Sequence, residues 1–588
     1  MISGSKILYN SLLNNNVKTI FGYSGGAILG VLNEFYGQDR IKFITTRTEQ
    51  GAGFMAEGYA KSTRTPGVVM TTSGPGALNT ITSLQNALSD GTPLLVLSGQ
   101  VATNVLGTNA FQEADVVNIS KPCTKWNTQI RDTVLIDGIV DNAFNKMLSG
   151  RHGPVLLDLP KDVMSKQISL NYLNDDTLNY TKKLNIFDYM VDRTSTAFIC
   201  PHNIHMLINN SKKPVILAGQ GVFQGNAFSN MRKFAHSYNI PITTTLLGLG
   251  IFNEKHNLSL KMLGMHGSFY ANKAVQDSDL LLNFGSRFDD RITGNVQKFA
   301  PNSRIVHVDI SKENINKIII PDYVINSNCN KVLESILKYR YINNIDFSHR
   351  FLDWHTQIKE WKKTPFTYPE NTELLQGRHV ISVLNRLIYD DIEKNYYTIV
   401  ADVGAHQMWA AQFIDYNYPK VKFITSGGLG SMGFALPASI GVKIGSTRNK
   451  VIAIVGDGGF SMSMTELSTA IDNKINIKVL IINNSNLQMV ANWQKLFYDG
   501  RFIATQMNNP PFEKISESMG CKGMRIDITD NIEKKLQEFL DYEDGPIVAN
   551  VITDNCESVL PMVCPGKALD DMILDENLNE KVYGDAPC

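Results

Sequence analysis

GDGGFSMSMTELSTAIDNKINIKVLIINN, residues 456–484, is the stretch of sequence that decides the fold. An apolar strand ends in Gly-Asp-Gly, a stretch of helix length follows, and a second apolar strand ends in Asn-Asn. Two strands joined by one helical crossover run parallel, so their carboxyl ends lie at the same edge of a sheet. Open α/β folds bind their ligands at that edge. The segment therefore predicts a parallel α/β fold with a binding site at 456–484.

Asp457 and Asn484 end the two strands and can converge on one ion. A carboxylate and an amide carbonyl are hard oxygen ligands that suit Mg²⁺ bridging a diphosphate, and Gly458 and Gly459 let the backbone approach phosphate groups. The alternative is that Asp457 only caps the following helix and that Asn484 lies in a turn. The coupling of two strand ends across one crossover favours a site for a metal and a diphosphate.

Short β-rich apolar runs alternate with helix-length segments in three sets along the 588 residues. This alternation indicates parallel sheets covered by helices, and the chain is longer than one hydrophobic core usually supports. We predict an α/β fold of three domains, each built on a mostly parallel sheet flanked by helices. The predicted bounds are 1–170, 195–345 and 375–560, with a linker over about 165–196 and a C-terminal tail at 561–588. Strands are predicted at 17–21, 41–44, 67–72, 93–98 and 154–159, then at 214–219, 241–246, 279–285 and 304–309, and finally at 397–402, 450–458, 477–484 and 546–552.

Composition and charge exclude several classes of function. Lysine plus arginine equal aspartate plus glutamate at 56 each, so the net charge gives no attraction toward nucleic acid or an acidic membrane. The seven cysteines form no CxxC pair and no metal-ligand spacing, which is typical of a reduced, intracellular protein. The sequence has no signal peptide and no apolar run long enough to cross a membrane. We therefore expect a soluble enzyme of small molecules.

Several motifs resemble those of the acetolactate synthases, a family within the thiamine-diphosphate enzymes. The resemblance extends from about Ile7 to Ile573, and it includes FGYSGGAI at 21–28, TTSGPGALN at 71–79, GSRFDDRITG at 285–294 and TSGGLGSMGFALPA at 425–438. It implies the fold of that superfamily, with a pyrimidine-binding domain, a central FAD-binding domain and a diphosphate-binding domain. The implied cofactors are thiamine diphosphate, Mg²⁺ and FAD.

The resemblance also implies roles at the reacting centre. Glu49, at the start of a helix, is the expected catalytic acid against the aminopyrimidine ring, although an isolated Glu at a helix start is more often a solvated residue. The main-chain carbonyl of Asn486 is the expected third metal ligand. The family usually has His where this chain has Thr48, and Gly where it has Gln488. The further thiamine-diphosphate positions are Gly404, His406, Gly430, Met432 and Met489, and the substrate positions are Gly26, Phe111, Gln112, Lys161, Arg291 and Trp493.

Residues of the central domain, together with Arg151 of the N-terminal domain, match the flavin-contacting positions of the family. Glycines there let the backbone approach a pyrophosphate, arginines can neutralise it, and Asp309 ends a strand where it could bind a ribose hydroxyl. The alternative is a domain that is kept for structure and binds no flavin. His152 replaces a common Pro of the family beside Arg151. The matching residues are Arg151, Gly219, Gly221, Thr245, Leu246, Leu263, Gly264, Met265, His266, Gly285, Arg287, Asp289 and Asp309.

By resemblance, the chain decarboxylates pyruvate and transfers the hydroxyethyl unit to pyruvate or 2-ketobutyrate, the first common step toward branched-chain amino acids. Glu49 and the metal motif lie in different domains, which in this family implies a homodimer or homotetramer. The sequence leaves open whether a small regulatory subunit binds. It also leaves open whether the compartment is the cytoplasm or the interior of a genome-bearing organelle such as a plastid. The alternatives are a flavin oxidase, another carboligase of the same fold and a non-catalytic subunit. The intact Glu49, Asp457 and Asn484 argue against the non-catalytic subunit.

Overall fold

The computed structural model describes residues 1–169, 200–364 and 374–574, which form three six-stranded parallel sheets flanked by helices. The predicted fold class is confirmed. The predicted linker lies outside the described residues from position 170 to its end, as does the predicted tail from position 575. None of the helices in the described ranges combines the length and the apolar character needed to cross a membrane.

The N-terminal sheet has the strand order β3-β2-β4-β5-β7-β6, and a short antiparallel ribbon of β1 and β8 lies beside it. Its strands are β1 (Ile2–Ser3), β2 (Thr19–Gly22), β3 (Lys42–Thr45), β4 (Gly67–Thr71), β5 (Leu94–Gln100), β6 (Trp126–Gln129), β7 (Val155–Pro160) and β8 (Gln167–Ile168). Its helices are α1 (Gly4–Asn14), α2 (Leu29–Asn33), α3 (Glu49–Thr63), α4 (Pro75–Leu78), α5 (Ile81–Asp90), α6 (Val116–Ser120), α7 (Ile136–Leu148) and α8 (Lys161–Ser165).

The central sheet has the order β11-β10-β9-β12-β13-β14. Its strands are β9 (Pro214–Ala218), β10 (Ile242–Thr244), β11 (Ser259–Met262), β12 (Leu280–Phe284), β13 (Arg304–Asp309) and β14 (Tyr323–Asn326). The accompanying helices are α9 (Pro201–Asn210), α10 (Gly221–Gln224), α11 (Phe228–Tyr238), α12 (Phe269–Asp277), α13 (Asp290–Thr293), α14 (Cys329–Ile342) and α15 (Leu352–Trp361).

The C-terminal sheet has the order β16-β15-β17-β18-β20-β19. Its strands are β15 (Tyr397–Ala401), β16 (Val421–Thr425), β17 (Lys450–Gly456), β18 (Lys478–Asn483), β19 (Lys522–Ile526) and β20 (Ile547–Ile552). The helices are α16 (Gly377–Asp391), α17 (Ala405–Phe413), α18 (Ala435–Gly445), α19 (Asp457–Ser463), α20 (Leu467–Asp472), α21 (Gln488–Phe497), α22 (Phe512–Ser518) and α23 (Ile532–Asp541). A hairpin of β21 (Met562–Val563) and β22 (Met572–Ile573) ends the described chain.

Each sheet contains strands that the sequence did not reveal. In the six-stranded sheets the missed strands are β6, β11, β14, β16 and β19, and every one of them is an edge strand; the four strands of the two short antiparallel pairs, β1, β8, β21 and β22, were not predicted either. Central strands of a parallel sheet are buried on both faces and read as continuous apolar runs, whereas an edge strand is partly exposed. The predicted strands are therefore mainly the buried ones, and apolar runs alone indicate fewer strands than each six-stranded sheet contains.

The N-terminal and C-terminal domains pack together through α3 and α18. A Cβ atom placed on Gly58 would lie 2.1 Å from the Ala438 carbonyl oxygen, and one on Gly441 would lie 1.8 Å from the Met55 carbonyl oxygen. These glycines let the two helix backbones meet directly. Residues of both domains, including Phe54 and Phe434, consequently share one buried core.

Candidate active site

The carboxyl edge of the C-terminal sheet holds the predicted metal ligands. Asp457 follows β17 directly as the first residue of α19, and Asn484 follows β18. Both side chains are buried, and Asn484 Oδ1 accepts a hydrogen bond from the Asn486 amide at 3.1 Å. The Asn486 Oδ1 atom is buried without a hydrogen-bond partner among the described residues. This concentration of buried oxygens, one of them unpartnered, fits a hard divalent cation.

Asp457 is held by the backbone and by a residue that the sequence did not reveal. Its Oδ1 accepts from the Gly458 amide at 2.9 Å, and its Oδ2 accepts from Asn509 Nδ2 at 2.7 Å. Asn509 also donates to Asn483 Oδ1 at 2.9 Å, so it links the ends of both strands. Burial raises the pKa of Asp457, and these hydrogen bonds oppose the shift. Asn509 lies in an irregular segment, where no local pattern could have indicated its role.

No group of three or more His, Cys, Asp or Glu side chains that could hold a metal occurs within residues 1–169, 200–364 and 374–574. The predicted Mg²⁺ ligands are not such a cluster, because they combine one carboxylate, one side-chain amide oxygen and one main-chain carbonyl.

The loop 426–432, which carries Gly430 and Met432, is held by the N-terminal domain of the same chain. Asn86 Oδ1 accepts from Ser426 Oγ at 2.5 Å, and Asp90 Oδ1 accepts from the Gly428 amide at 2.7 Å. Gly430 has a φ of +76°, a left-handed conformation that favours glycine. The position of this loop therefore depends on α5 as well as on its own domain.

Asp402 fixes the other side of this loop. Its buried carboxylate accepts from the amides of Gly433 and Ala435, each at 2.9 Å, where α18 begins. A Cβ atom on Gly459 would lie 2.8 Å from Asp402 Oδ1, so glycine is needed there for the close packing. Gly458 is packed between the side chains of Leu487 and Met432.

The buried His406 ring packs against the backbone at Gly404 and Gly456. Its Nε2 accepts a hydrogen bond from the Gly456 amide at 3.1 Å, and burial lowers the pKa of His406 to about 3, so the ring is neutral. Gly404 has a φ of +148°, and a Cβ atom on it would lie 2.8 Å from the His406 ring. The ring therefore supports Gly404 and Gly456 from within the domain.

A cavity of about 1030 Å³ is lined by residues of all three domains. It brings together most of the residues predicted for the flavin and part of those predicted for thiamine diphosphate. The predicted residues that line it are Arg151, Gly221, Thr245, Leu246, Leu263, Met265, His266, Gly285, Arg287, Asp289, Arg291, Asp309, Gly404, Gly430, Met432, Met489 and Trp493.

Two arginines lie side by side in this cavity. Arg151 donates to the carbonyls of Leu88 and Ser89 at 2.8 and 2.7 Å, and Arg287 donates to the Ser89 carbonyl at 3.1 Å. Burial, and then the neighbouring Arg287 guanidinium, lower the pKa of Arg151. Two close cations beside a large cavity favour an anionic group such as a pyrophosphate.

The cavity lining also offers a carboxylate and close backbone approach. Asp309 ends β13, and its Oδ1 accepts from the Ser311 amide at 2.7 Å. A Cβ atom on Gly221 would lie 2.7 Å from the Gly285 Cα atom, so only glycines allow these two segments to meet. Gly219 and Gly264 do not belong to the lining, but a Cβ on either would lie within 2.4 Å of a backbone oxygen.

Two histidines of the lining are neutral. Burial lowers the pKa of His152 and of His266 to about 4 in each case. His266 Nδ1 donates to the Pro561 carbonyl at 3.3 Å, so the segment before the β21–β22 hairpin contacts the central-domain loop that carries His266. Neutral rings leave the positive charge of this region to the arginines.

Arg291 and Trp493 approach the cavity from different domains. Arg291 is largely exposed, and its Nη1 lies 3.2 Å from Met265 Sδ. Trp493 lies on α21 with Met489, one turn earlier, and its indole contacts Phe497 edge to face at 5.3 Å between ring centroids. A guanidinium and an aromatic face thus border one space.

Glu49 lies at the carboxyl edge of the N-terminal sheet and does not line this cavity. Its Oε2 accepts from Asn79 Nδ2 at 3.0 Å, and a Cβ on Gly76 would lie 3.2 Å from its Oε1. The predicted substrate residues of the same domain are also absent from the lining, and all four are exposed: Gly26, Phe111, Gln112 and Lys161. A single chain therefore presents two separate groups of predicted site residues.

Thr48, which stands where the family usually has His, connects α3 to the C-terminal domain. Its Oγ1 caps α3 by accepting from the Gly51 amide at 2.9 Å. Its own amide and Oγ1 donate to Glu466 Oε1 at 2.9 and 3.0 Å. The start of the helix that bears Glu49 is thereby tied to the buried Glu466.

Three family models match the chain: the N-terminal TPP binding domain of thiamine pyrophosphate enzymes over 2–119, their central domain over 202–336 and their C-terminal TPP binding domain over 402–551. The relatives include "Acetolactate synthase, mitochondrial" of Schizosaccharomyces pombe, which is 43% identical over 98% of this chain and 87% of its own length. "Acetolactate synthase catalytic subunit, mitochondrial" of Saccharomyces cerevisiae is 40% identical over 97% of this chain and 84% of its own length. "Acetolactate synthase large subunit" of Lactococcus lactis is 39% identical over 98% and 97%. The chain therefore belongs to the acetolactate synthase family of thiamine-diphosphate enzymes.

Proposed function

We propose that the chain is the catalytic subunit of an acetolactate synthase, which decarboxylates pyruvate and transfers the two-carbon unit to pyruvate or 2-ketobutyrate. This is the first common step of branched-chain amino acid biosynthesis. The observation that carries the proposal is that Gly430 and Met432 of the thiamine-diphosphate domain line the same cavity as Arg291 and Trp493. The names of the relatives support the same activity.

Asp457, Asn484 and the Asn486 carbonyl would hold Mg²⁺, and Gly458 and Gly459 would bring the start of α19 to the diphosphate. The buried, unpartnered Asn486 Oδ1 and the buried Asp457 carboxylate support a cation here. The Asn509 amide would keep the Asp457 carboxylate in place, because it donates to Oδ2 and leaves lone pairs on both oxygens for the cation.

The central domain would bind FAD, with Arg151 and Arg287 on its pyrophosphate and Asp309 on a ribose hydroxyl. The cavity volume, the paired guanidinium groups and the glycine backbones support this. A flavin has no redox task in joining two keto acids without a net electron transfer. We therefore propose a structural role for it, in which it fixes the lining that Met265 and His266 share with the C-terminal segment.

Thiamine diphosphate, when bound, supplies a nucleophilic carbon and an electron sink for the decarboxylation. Glu49 would exchange a proton with the aminopyrimidine ring. Because Asn79 donates to Oε2, the proton of the carboxyl group resides best on Oε1. Arg291 would bind the carboxylate of the acceptor keto acid, and the Trp493 indole would contact its alkyl group. Gly26, Phe111, Gln112 and Lys161 would close the reaction space.

We further propose that two chains, in a homodimer or a homotetramer, form each active site. Glu49 and the four exposed substrate residues are separated from the cavity of their own chain, and this separation supports a complementary surface on a second copy. Under this proposal the domains predicted at 1–170 and 375–560 face each other across the dimer, whereas the domain at 195–345 carries FAD. The "large subunit" and "catalytic subunit" names of relatives suggest an additional regulatory subunit.

Complementation between two inactive variants tests the shared site. Glu49→Gln and Asp457→Asn should each abolish most activity alone. Mixed and reassociated chains should regain about a quarter of the wild-type activity, because half of the dimers are mixed and each then has one intact site. Activity that stays at the level of the separate variants, with mixed dimers verified by two different affinity tags, would contradict the shared site.

The direct test of function uses the purified chain with pyruvate and with thiamine diphosphate, Mg²⁺ and FAD added singly and together. We expect acetolactate when all three are present, and 2-aceto-2-hydroxybutyrate when 2-ketobutyrate is added. Stoichiometric peroxide without acetolactate would instead indicate a flavin oxidase.

We propose the cytoplasm or the interior of a genome-bearing organelle, a plastid included, as the compartment of the protein. Two of the relatives above carry "mitochondrial" in their names.

A further inference from the structure

Gln488, the first residue of α21, joins the proposed metal site to two other segments. It is buried, and its side-chain amide takes part in three hydrogen bonds. Gln488 Nε2 donates to the Glu557 carbonyl at 2.9 Å and to Asn492 Oδ1 at 3.1 Å. Gln488 Oε1 accepts from Asn484 Nδ2 at 3.0 Å. The amide therefore lies between a proposed metal ligand and the segment that precedes β21.

The partners of this amide fix its orientation. A main-chain carbonyl such as that of Glu557 can only accept, so Gln488 must present Nε2 to it. Its Oε1 atom then faces Asn484, and only the NH₂ group of Asn484 can satisfy that oxygen. An inverted Asn484 amide would place two acceptors 3.0 Å apart in a buried site and leave both without a donor, so this orientation is disfavoured.

The orientation of Asn484 decides whether it can bind a cation. The oxygen and nitrogen of an asparagine amide have nearly the same shape, but only the oxygen is a ligand for a hard cation. With Nδ2 committed to Gln488, Asn484 Oδ1 points to the side where it accepts from the Asn486 amide. That is also the side of the proposed third ligand.

We infer that Gln488 is a positioning residue for metal binding: its carbonyl holds the Asn484 amide with the oxygen toward the cation. The inference rests on the proposed Mg²⁺ site and deepens it. Gln488 has the residue type and contacts for this task, whereas the glycine usual in the family has no side chain that could perform it. Changes to partners of metal ligands typically weaken metal affinity by about 10–100-fold.

The test measures Mn²⁺ binding, with Mn²⁺ in place of Mg²⁺, by the loss of the free-ion EPR signal in the presence of thiamine diphosphate. Gln488→Met in the full chain removes the acceptor but keeps the length of the side chain. We expect its Kd for Mn²⁺ to rise about tenfold or more. Gln494→Met is the matched control, because Gln494 lies on the same helix and its side chain forms hydrogen bonds only to the Ile503 backbone in the described structure. Its Kd should stay within about twofold of the wild type.

A double-mutant cycle separates orientation from a general structural role. In the Asn484→Asp background both side-chain oxygens can bind the cation, so no orientation needs to be selected. There, adding Gln488→Met should change the Kd by no more than about threefold. Gln488→Ala, in both backgrounds, provides the same comparison if the methionine variant does not fold by circular dichroism.

Two results would overturn the inference while leaving the proposed function intact: an unchanged Kd in Gln488→Met, or an equal loss of affinity in both backgrounds. A wild-type chain that binds thiamine diphosphate without any Mn²⁺ or Mg²⁺ would overturn the proposed metal site and the inference together.

Discussion

Substitution of Trp493 by leucine should change the choice of acceptor. The indole lines the cavity from α21 together with Met489 and Val490, and Phe497 supports it edge to face. 2-Ketobutyrate exceeds pyruvate by one methylene group, whose burial against an apolar surface contributes about 0.8 kcal/mol, or roughly fourfold in selectivity. A pocket that also fits the shape of this group reaches about 1–3 kcal/mol, or roughly 10–200-fold. Leucine cannot provide the same flat face, so most of this preference should disappear.

Competition between the two acceptors measures the effect directly. With pyruvate and 2-ketobutyrate both present, the ratio of 2-aceto-2-hydroxybutyrate to acetolactate should fall at least about fourfold in Trp493→Leu, while acetolactate formation from pyruvate alone continues. Trp126→Leu is the control, because Trp126 is also half-buried but lies on β6 and not in the cavity lining. An unchanged ratio in Trp493→Leu would show that the indole is a packing residue, and the reasoning from the lining would be wrong.

Three further predictions follow from the site and its supports. Glu49→Gln should retain thiamine diphosphate, measured by isothermal titration, but lose about 10²–10⁴ in turnover, since an amide cannot supply the carboxylic proton; near-normal turnover would remove Glu49 from the mechanism. The purified protein should show a flavin absorption spectrum, and Arg151→Met should release FAD on gel filtration, while oxygen consumption with pyruvate stays far below acetolactate formation. Burial raises the pKa of Glu57 to about 8, above the value of 4.5 for an exposed glutamate, so this group stabilises the fold when protonated and the contribution is lost as the pH rises from about 5 to 8. Glu57→Gln should remove this pH dependence of the free energy of unfolding, which amounts to up to about 1.4 kcal/mol per pH unit. Between pH 5 and pH 9 the urea midpoint of the wild type should therefore fall progressively below that of the variant.

Much of the architecture could be predicted because each buried strand of a parallel sheet appears in the sequence as a short apolar run. Three sets of apolar runs along the chain predicted three sheets, and the two runs that end in Gly-Asp-Gly and Asn-Asn placed Asp457 and Asn484 at one sheet edge. Edge strands were missed where exposure removes the continuous buried apolar run that marks a central strand, as in β6, β14 and β19.

The supports of the site could not be predicted in the same way. Asn509 contacts Asp457 across a long stretch of chain, and Asn86 holds Ser426 from a different domain. Such contacts depend on how separate elements pack, and no periodicity or spacing records them. Thr48 illustrates the point: the sequence identified it as a departure from the family, but its bond to Glu466 appears only in the folded chain.

The direct backbone contact of α3 with α18 has a consequence for synthesis of the chain. Helix α3 ends at residue 63 and α18 begins at residue 435, so a ribosome that adds about 5–20 residues per second needs roughly 20–75 s to cover the distance. During that time the Phe54 and Met55 face of the nascent N-terminal domain lacks the C-terminal residues, Phe434 among them, that complete its core. We therefore expect this face to be the part of the newborn protein that chaperones occupy, and slower translation of the central domain to lengthen its exposure to aggregation.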